Sequence, residues 1–246
     1  MKEERTGCLV CGQELVYDSK SKLLECYLCQ EKAETEVFCQ NNHYICDQCH
    51  SAQGEDFIKS FCLRTKLTDP LEIAFILMKN QSIKMHGPEH HFLVPEVLLT
   101  AYYNSRNEKI FLINKIAQVE KRAFLIKGGF CGSHGNCGAA VGTGIFISLV
   151  TEATPLSKEE WGLSNLMTSQ ALVAIAKQGG PRCCKRNSFI AIREAVKFLK
   201  DNFNHDLKVE KKNCEFSSLN KECQKEKCPF YVPEMKKFKN SVPEEN

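Results

Sequence analysis

Residues 128–142 of the chain read GGFCGSHGNCGAAVG, and residues 179–186 read GGPRCCKR. Each stretch is a glycine-rich turn that presents cysteines at the start of an apolar, helix-like segment. Glycine lets the backbone approach a bound group closely and leaves amides free to point at sulfur. A thiol at the start of a helix is stabilised as the thiolate. The two turns therefore predict a buried thiol site, used for metal binding or redox chemistry, on a helical bundle.

Both turns contribute candidate residues to this site. We predict cofactor-binding roles for Cys131 and Cys137, and catalytic roles for Cys183, Cys184 and His134. Basic neighbours lower the pKa of a thiol and bind anions, so we expect Arg182 and Lys185 to hold a small anionic substrate. Adjacent cysteines do not easily ligate one ion together. Cys183 and Cys184 therefore serve two sites or form a vicinal disulfide.

Two resemblances extend this interpretation. The pattern Cys137-Gly138-Ala139-x-x-Gly142, with a later close cysteine pair, resembles the C-GCAxxG-C-C redox family, which implies iron–sulfur clusters or reactive thiols. In that family the later cysteines are spaced, whereas here they are adjacent. The chain as a whole is similar to an uncharacterised family of strictly anaerobic archaea and bacteria, whose members join a cysteine-rich head to HGPEHH and GGPRCCKR turns. That similarity implies an anaerobic setting and no particular reaction.

Composition sets the class of protein. The chain has 246 residues and a formal charge of only +3, so no strong field points to nucleic acid or an anionic membrane. Without a long apolar run or a signal-peptide pattern, we expect a cytoplasmic protein with no membrane partner. Fifteen cysteines in such a chain indicate metal or redox chemistry rather than disulfides. Their distribution divides the chain into a head (1–50), a helical thiol-site domain (51–204) and a three-cysteine tail (205–246).

The head is predicted to be a small, turn-rich, zinc-bound module. Its candidate metal ligands are Cys8, Cys11, Cys26, Cys29, Cys39, His43, Cys46 and Cys49. They suffice for two closed tetrahedral zinc sites, and few large apolar residues are present to form a core without metal.

The order of the head ligands from residue 26 to residue 49 resembles the first six ligands of a RING finger. The last RING pair is missing downstream, so ubiquitin-ligase function does not carry over. Cys8 and Cys11 could replace that pair from upstream in a cross-braced arrangement. One ion would then bind Cys26, Cys29, Cys46 and Cys49, and the other Cys8, Cys11, Cys39 and His43. A sequential arrangement that begins with Cys8, Cys11, Cys26 and Cys29 is the alternative.

The middle of the chain is predicted to be helical. A helix should begin at Pro70, because Thr68 or Asp69 can cap its first turn. Apolar periodicity predicts further helices over 97–103 and 110–124. Asn187 or Ser188 is expected to cap a helix over 189–203.

The segment HGPEHH at residues 86–91 contains the inverted zinc-hydrolase motif H-x-x-E-H. It makes His86 and His90 candidate metal ligands and Glu89 a candidate base. That mechanism needs both histidines on one continuous helix, and Gly87-Pro88 and Pro95 argue against such a helix. A polar turn that packs against the thiol site, or a plain surface loop, are the alternatives.

The tail carries Cys214, Cys223 and Cys228, the last followed by Pro229. A cysteine before proline is typical of ferredoxin-type cluster loops. A fourth thiolate is needed, from Cys62, Cys131, Cys137, Cys183 or Cys184, unless an open iron position binds substrate. Zinc with a borrowed histidine is the alternative.

The sequence thus predicts a mainly α protein that binds two structural zinc ions and an iron–sulfur cluster. We expect it to handle electrons or sulfur in anaerobic metabolism, with a redox or sulfur-transfer protein as partner. The alternatives are a zinc hydrolase at the H-x-x-E-H motif and a zinc-finger adaptor that binds protein or nucleic acid. A nucleic-acid partner is not expected, because residues 1–50 lack a basic, aromatic-studded surface.

Overall fold

The computed structural model of the chain describes residues 8, 10–11, 13–46, 49 and 54–233. The head contains an antiparallel hairpin of β1 (Leu15–Glu25) and β2 (Lys32–Cys39), whose pairing is irregular between Tyr17 and Lys22. Eight α-helices follow in the described part. They are α1 (Gly54–Arg64), α2 (Pro70–Lys79), α3 (Glu89–Ser105), α4 (Leu112–Ala123), α5 (Phe130–Ser133), α6 (Gly138–Val150), α7 (Glu159–Gln178) and α8 (Cys184–Phe203). The predicted mainly α fold is confirmed.

Helix α3 is the centre of the bundle, in contact with α1, α2, α4, α6 and α8. It is buried on nearly all sides, including Pro95 within the helix. The helix predicted over 97–103 is therefore only the second half of a longer one. Proline costs helical stability, but burial of an apolar helix on several sides outweighs that cost.

Two other helix starts test the sequence patterns. The start of α2 is confirmed, since Asp69 accepts hydrogen bonds from the Leu71 and Glu72 amides and Pro70 occupies the first turn. The predicted caps at Asn187 and Ser188 are wrong, because α8 begins earlier, at Cys184, with Cys183 as its N-cap. Helix α8 thus starts at the cysteine pair.

The first turns of three long helices meet on one side of the bundle. Helix α3 follows the turn at Gly87, α6 follows Cys137, and α8 follows Cys183. Small residues on α6 permit the close packing that holds this arrangement. A Cβ at Gly142 would lie 2.8 Å from the Pro95 ring of α3. The candidate cysteines are therefore positioned by the rigid core.

The tail packs on the bundle through aromatic rings. Phe216 and Phe230 are buried, and their rings lie 5.7 Å from that of Phe75 and 5.3 Å from that of Phe189, respectively. Two 3-10 turns, Ser217–Leu219 and Lys225–Lys227, are its regular elements in the described range. The outer parts of the predicted head and tail, 1–7 and 234–246, lie outside the described residues.

None of the described helices combines the length and the apolar character needed to cross a membrane.

Candidate metal centres

Two groups of four ligands form in the head. One contains Cys8, Cys11, Cys39 and His43, and the other contains Cys26, Cys29, Cys46 and Cys49. Within each group the ligand atoms lie within 4.8 Å of one another, so each can hold a metal ion. This is the cross-braced grouping, and the sequential one does not occur.

The spacing within these groups matches a tetrahedral ion. A tetrahedral site with zinc–sulfur bonds of about 2.3 Å separates its sulfurs by about 3.8 Å. The Sγ atoms of Cys29 and Cys46 lie 3.7 Å apart, and those of Cys11 and Cys39 lie 3.9 Å apart. His43 Nδ1 lies 3.3 Å from Cys11 Sγ and 3.8 Å from Cys8 Sγ. The ligands are therefore already placed around the position of one ion.

Backbone amides surround the head sulfurs. Cys39 Sγ accepts hydrogen bonds from the amides of Asn41, at 3.2 Å, and His43, at 3.3 Å. A hydrogen bond from the Cys49 thiol lowers the pKa of Cys26 to about 4, whereas burial raises that of Cys29 to about 11. Metal binding requires thiolate ligands, so a cation that binds this group would release protons.

A third group of thiols lies where the tail packs on α8. One cavity, here called the tetrathiol cavity, is lined by Cys183, Cys214, Cys223 and Cys228. Three of these sulfurs accept backbone amide hydrogen bonds, from Arg186 to Cys183, Phe216 to Cys214 and Lys225 to Cys223. The head thiols accept the same kind of bond. Of the five cysteines proposed to complete the tail set, Cys183 is therefore the one in place.

The walls of the tetrathiol cavity combine apolar side chains with buried cations. Met85, Phe189, Phe216 and Phe230 contribute apolar surface. Lys185 and Arg186 also line the cavity, and each is only 4 % exposed. The open volume between these side chains is about 20 Å³, so a group larger than a single ion can enter only if the tail shifts outward from α8. This cavity can surround a metal centre but cannot admit an organic substrate.

The basic residues of the second turn differ from expectation. Lys185 Nζ donates to Met78 O at 2.7 Å and to Ile83 O at 3.1 Å, so it ties α8 to the end of α2. It is placed to support the fold rather than to hold a substrate. Arg182 is exposed and lines the neighbouring cavity.

That neighbouring cavity, here called the trithiol cavity, lies at the three helix starts and has a volume of about 320 Å³. Its thiols are Cys131, Cys137 and Cys184. Cys183 and Cys184 line different cavities and both are free thiols, which agrees with the interpretation that they serve two sites. Burial raises the pKa of Cys184 to about 11, more than Arg182 lowers it, so the expected low pKa is wrong.

The predicted catalytic and metal-binding histidines lie in different surroundings. His90 is fully buried, with Nδ1 3.1 Å from Ser188 Oγ and Nε2 3.0 Å from Lys84 O. Burial lowers its pKa to about 3, so it is neutral. His86 precedes α3, and its Nε2 lies 3.5 Å from Glu222. His134 is exposed and pairs with Ser133.

The zinc-hydrolase motif does not assemble in this arrangement. Both nitrogens of His90 have partners within the protein, and Glu89 accepts a hydrogen bond from the Lys84 amide at 2.8 Å. The helix begins at Glu89, so His86 does not share its face. The prediction of His86 and His90 as a metal pair is therefore not supported by their positions.

Two residues of the trithiol cavity were missed by sequence reasoning. His91 lines it, with Nδ1 donating to Ile126 O at 3.0 Å, which leaves Nε2 as the acceptor. Asn187 also lines it, and its Nδ2 donates to Cys137 Sγ at 3.7 Å. In the sequence, His86 and His90 were the candidate metal ligands of the segment that contains His91, and Asn187 was a candidate helix cap. Only the packing of α3 and α8 shows that His91 and Asn187 line this cavity.

Gly138 leaves room for the His91 ring, and this predicts a measurable effect. A Cβ at Gly138 would lie 2.5 Å from His91 Nε2, whereas a Cβ at Gly132 would meet nothing within 4 Å. We expect Gly138→Ala to lower the free energy of unfolding by about 1–3 kcal/mol through overpacking. Gly132→Ala, the same change in open space, should alter it by less than about 1 kcal/mol. Denaturant titration of both variants checks this, and equal stabilities would contradict it.

The fold and these groups define a mainly α protein with a cysteine-rich head that can hold two metal ions. The chain belongs to a family of unknown function, DUF5714, whose model matches residues 58–231. No curated protein and no solved structure gives a significant match. Both thiol cavities lie in the part that the family model covers, and the two ligand groups of the head lie outside it.

Proposed function

We propose that this protein is an iron–sulfur redox protein, with its cluster in the tetrathiol cavity and two structural zinc ions in the head. The observation that carries the proposal is that Cys183, from the start of α8, and Cys214, Cys223 and Cys228 of the tail line one largely apolar cavity. A cysteine set of this number is the usual ligand set of an iron–sulfur cluster.

The spacing of these thiols favours a cluster over a single zinc ion. Among the described residues, the groups with ligand atoms within 4.8 Å of one another are those of the head. The four sulfurs of the tetrathiol cavity are spaced more widely than the ligand atoms within each head group. A cluster holds its cysteine sulfurs farther apart than one ion does, because its iron atoms are themselves separated. A more open set of four thiols therefore suits it.

The surroundings also suit a negatively charged centre. The Arg186 guanidinium is buried, and its partners are the neutral oxygens of Asn187, Gly179 and Pro181. Burial raises the pKa of the Cys183 thiol, and the backbone amide and the guanidinium of Arg186 both act in the opposite direction by stabilising its thiolate. Amide hydrogen bonds to the sulfurs, buried positive charge and exclusion of solvent all set the potential of a cluster. These features support electron transfer.

Electrons would pass between this centre and the neighbouring cavity. Cys183 and Cys184 are adjacent in the chain and line different cavities, so the two sites are joined by a single peptide unit. We propose that a redox or sulfur-transfer protein exchanges electrons with the cluster, in the cytoplasm of an anaerobic cell. Cys183 would be a ligand rather than a nucleophile.

Metal and acid-labile sulfide analysis of protein purified without oxygen tests the proposal. We expect about two zinc ions per chain, together with iron, sulfide and a visible absorption band that a reductant bleaches reversibly. Cys214→Ser should remove the iron of this centre. Cys62→Ala changes a buried cysteine outside all four thiol groups and should keep it. A colourless protein that binds only zinc, or full iron in Cys214→Ser, contradicts the proposal.

A further inference from the structure

We infer that the trithiol cavity is a second iron–sulfur centre, ligated by Cys131, Cys137 and Cys184, whose remaining iron position binds a small anionic molecule. This inference rests on the proposed iron–sulfur chemistry of the protein, but it concerns a different cavity and different ligands. It would make the trithiol cavity the place where substrate meets metal and the tetrathiol cavity the electron-transfer site.

One sulfur of this cavity, that of Cys137, has the surroundings of a metal-bound thiolate. Asn187 Oδ1 accepts a hydrogen bond from Arg186 Nε at 3.2 Å, which orients the Asn187 amide so that Nδ2 donates to Cys137 Sγ. Asn187 is only 5 % exposed, so this orientation is fixed by packing. Second-shell donors of this kind position and tune metal ligands.

The backbone adds positive potential at the same place. Helices α3, α6 and α8 all present their N-terminal turns to the trithiol cavity, which is lined by residues from all three starts. Each N-terminus carries a partial positive charge and unpaired amides. Three such ends around three thiols lower the cost of placing several negative charges there. A cluster with thiolate ligands and an anionic substrate brings such charges.

Three thiols leave one iron atom of a four-iron cluster without a cysteine ligand. A four-iron cluster has four iron atoms, and this cavity supplies three cysteines, so one iron stays available to an outside ligand. The tetrathiol set has no such position, since it supplies four. The trithiol cavity has about 320 Å³, which is room for a ligand beside the metal.

A groove leads to this position from the surface. It is lined by Gly129, Cys131 and Cys137 on one side and by Leu172, Ile175 and Ala176 of α7 on the other, and has a volume of about 720 Å³. Arg182 lines both the groove and the trithiol cavity. A guanidinium at the entrance favours a carboxylate or another oxyanion, and no carboxylate is among the residues that line either space. The ligand is therefore a small anion.

Variants at the two thiol sets test this inference separately from the proposed function. We expect Cys131→Ser and Cys184→Ser each to lose about half of the iron and sulfide, and Cys214→Ser to lose the other half. In reduced Cys214→Ser protein, cyanide should shift the electron paramagnetic resonance signal of the remaining cluster. In Cys131→Ser protein, cyanide should have no effect.

Arg182→Ala should keep the iron and raise the cyanide concentration needed for half of that shift several-fold. Arg64 is an exposed arginine away from both cavities. Arg64→Ala is therefore the matched control, and it should change neither the iron content nor the cyanide concentration needed for half of the shift. Full iron and an unchanged spectrum in folded Cys131→Ser and Cys184→Ser overturn the second centre, even if Cys214→Ser loses its iron. If Cys131→Ser loses half of the iron but cyanide does not change the spectrum of Cys214→Ser, the second cluster exists without an open iron position, and that part of the inference is overturned. If Cys214→Ser keeps the iron content of the wild type while Cys131→Ser and Cys184→Ser lose iron, the proposed cluster of the tetrathiol cavity is overturned and the second centre is not.

Discussion

Cys39→Ser protein is expected to have an unfolded head and a folded helical domain. The substitution removes one ligand of the group that contains Cys8, Cys11 and His43, and leaves both thiol cavities intact. We expect the amides of β1 and β2 to lose their protection from hydrogen exchange, while those of α3 and α8 keep it. The far-ultraviolet signal of the helices should change little.

The physical reason is that the head has almost no core of its own. Apart from cysteines, its buried apolar residues in the described range are Leu28 and Phe38. A two-stranded hairpin is marginal in water without further packing. The free energy of metal binding, about 10–16 kcal/mol for small structural zinc sites, is then the free energy of folding.

Hydrogen exchange measured by mass spectrometry, segment by segment, checks this prediction. Lys20→Ser, an exposed change on β1, is the control and should keep the protection of the wild type. Persistent protection of β1 and β2 in Cys39→Ser would contradict the prediction, because the hairpin would then be stable without a complete Cys8, Cys11, Cys39 and His43 group.

Local patterns in the sequence were sufficient to find the head ligands but not to pair them. Cysteines two residues apart belong to the same turn, whatever the fold. The pairing depends on the hairpin, which sequence reasoning did not predict. Its register sets Leu15 opposite Cys39, so that the turn containing Cys11 comes back beside Cys39 and His43. That antiparallel return selects the cross-braced grouping.

The fourth ligand of the tail set could not be read from spacing either. Five cysteines were equally suitable in sequence. The choice of Cys183 follows from the packing of Phe230 on Phe189 of α8, which carries the tail across the start of that helix. Contacts between residues so far apart in the chain are fixed by the whole core.

The roles expected for Lys185 as an anion-binding residue and for His90 as a metal ligand failed because both side chains are buried. Lys185 stands between Cys184 and Arg186 in a motif that looks solvated, and His90 stands in a run of histidines. Both are buried, and both satisfy backbone carbonyls. The same residue types with the same spacing would bind anions or metals if α8 and α3 exposed those faces.

Lys185→Met is expected to lower the free energy of unfolding by about 3 kcal/mol, the larger part coming from buried carbonyls that lose their donor. The ammonium group of Lys185 donates to Met78 O and Ile83 O and lies 4.4 Å from the centre of the Phe216 ring. Methionine fills a similar volume, so the change removes the donors and the charge with little loss of packing.

The same substitution should also lower the reduction potential of the cluster, because it removes a buried positive charge from the wall of the tetrathiol cavity. Lys200→Met is the matched control. Lys200 is exposed and pairs with Asp206 at 3.1 Å, and such a surface pair contributes less than about 1 kcal/mol. Denaturant titration and a redox titration, both without oxygen, measure the two effects. If Lys185→Met and Lys200→Met were equally stable, Lys185 would not hold α8 to the end of α2. If Lys185→Met lost stability but kept the potential of the wild type, its charge would not act on the centre.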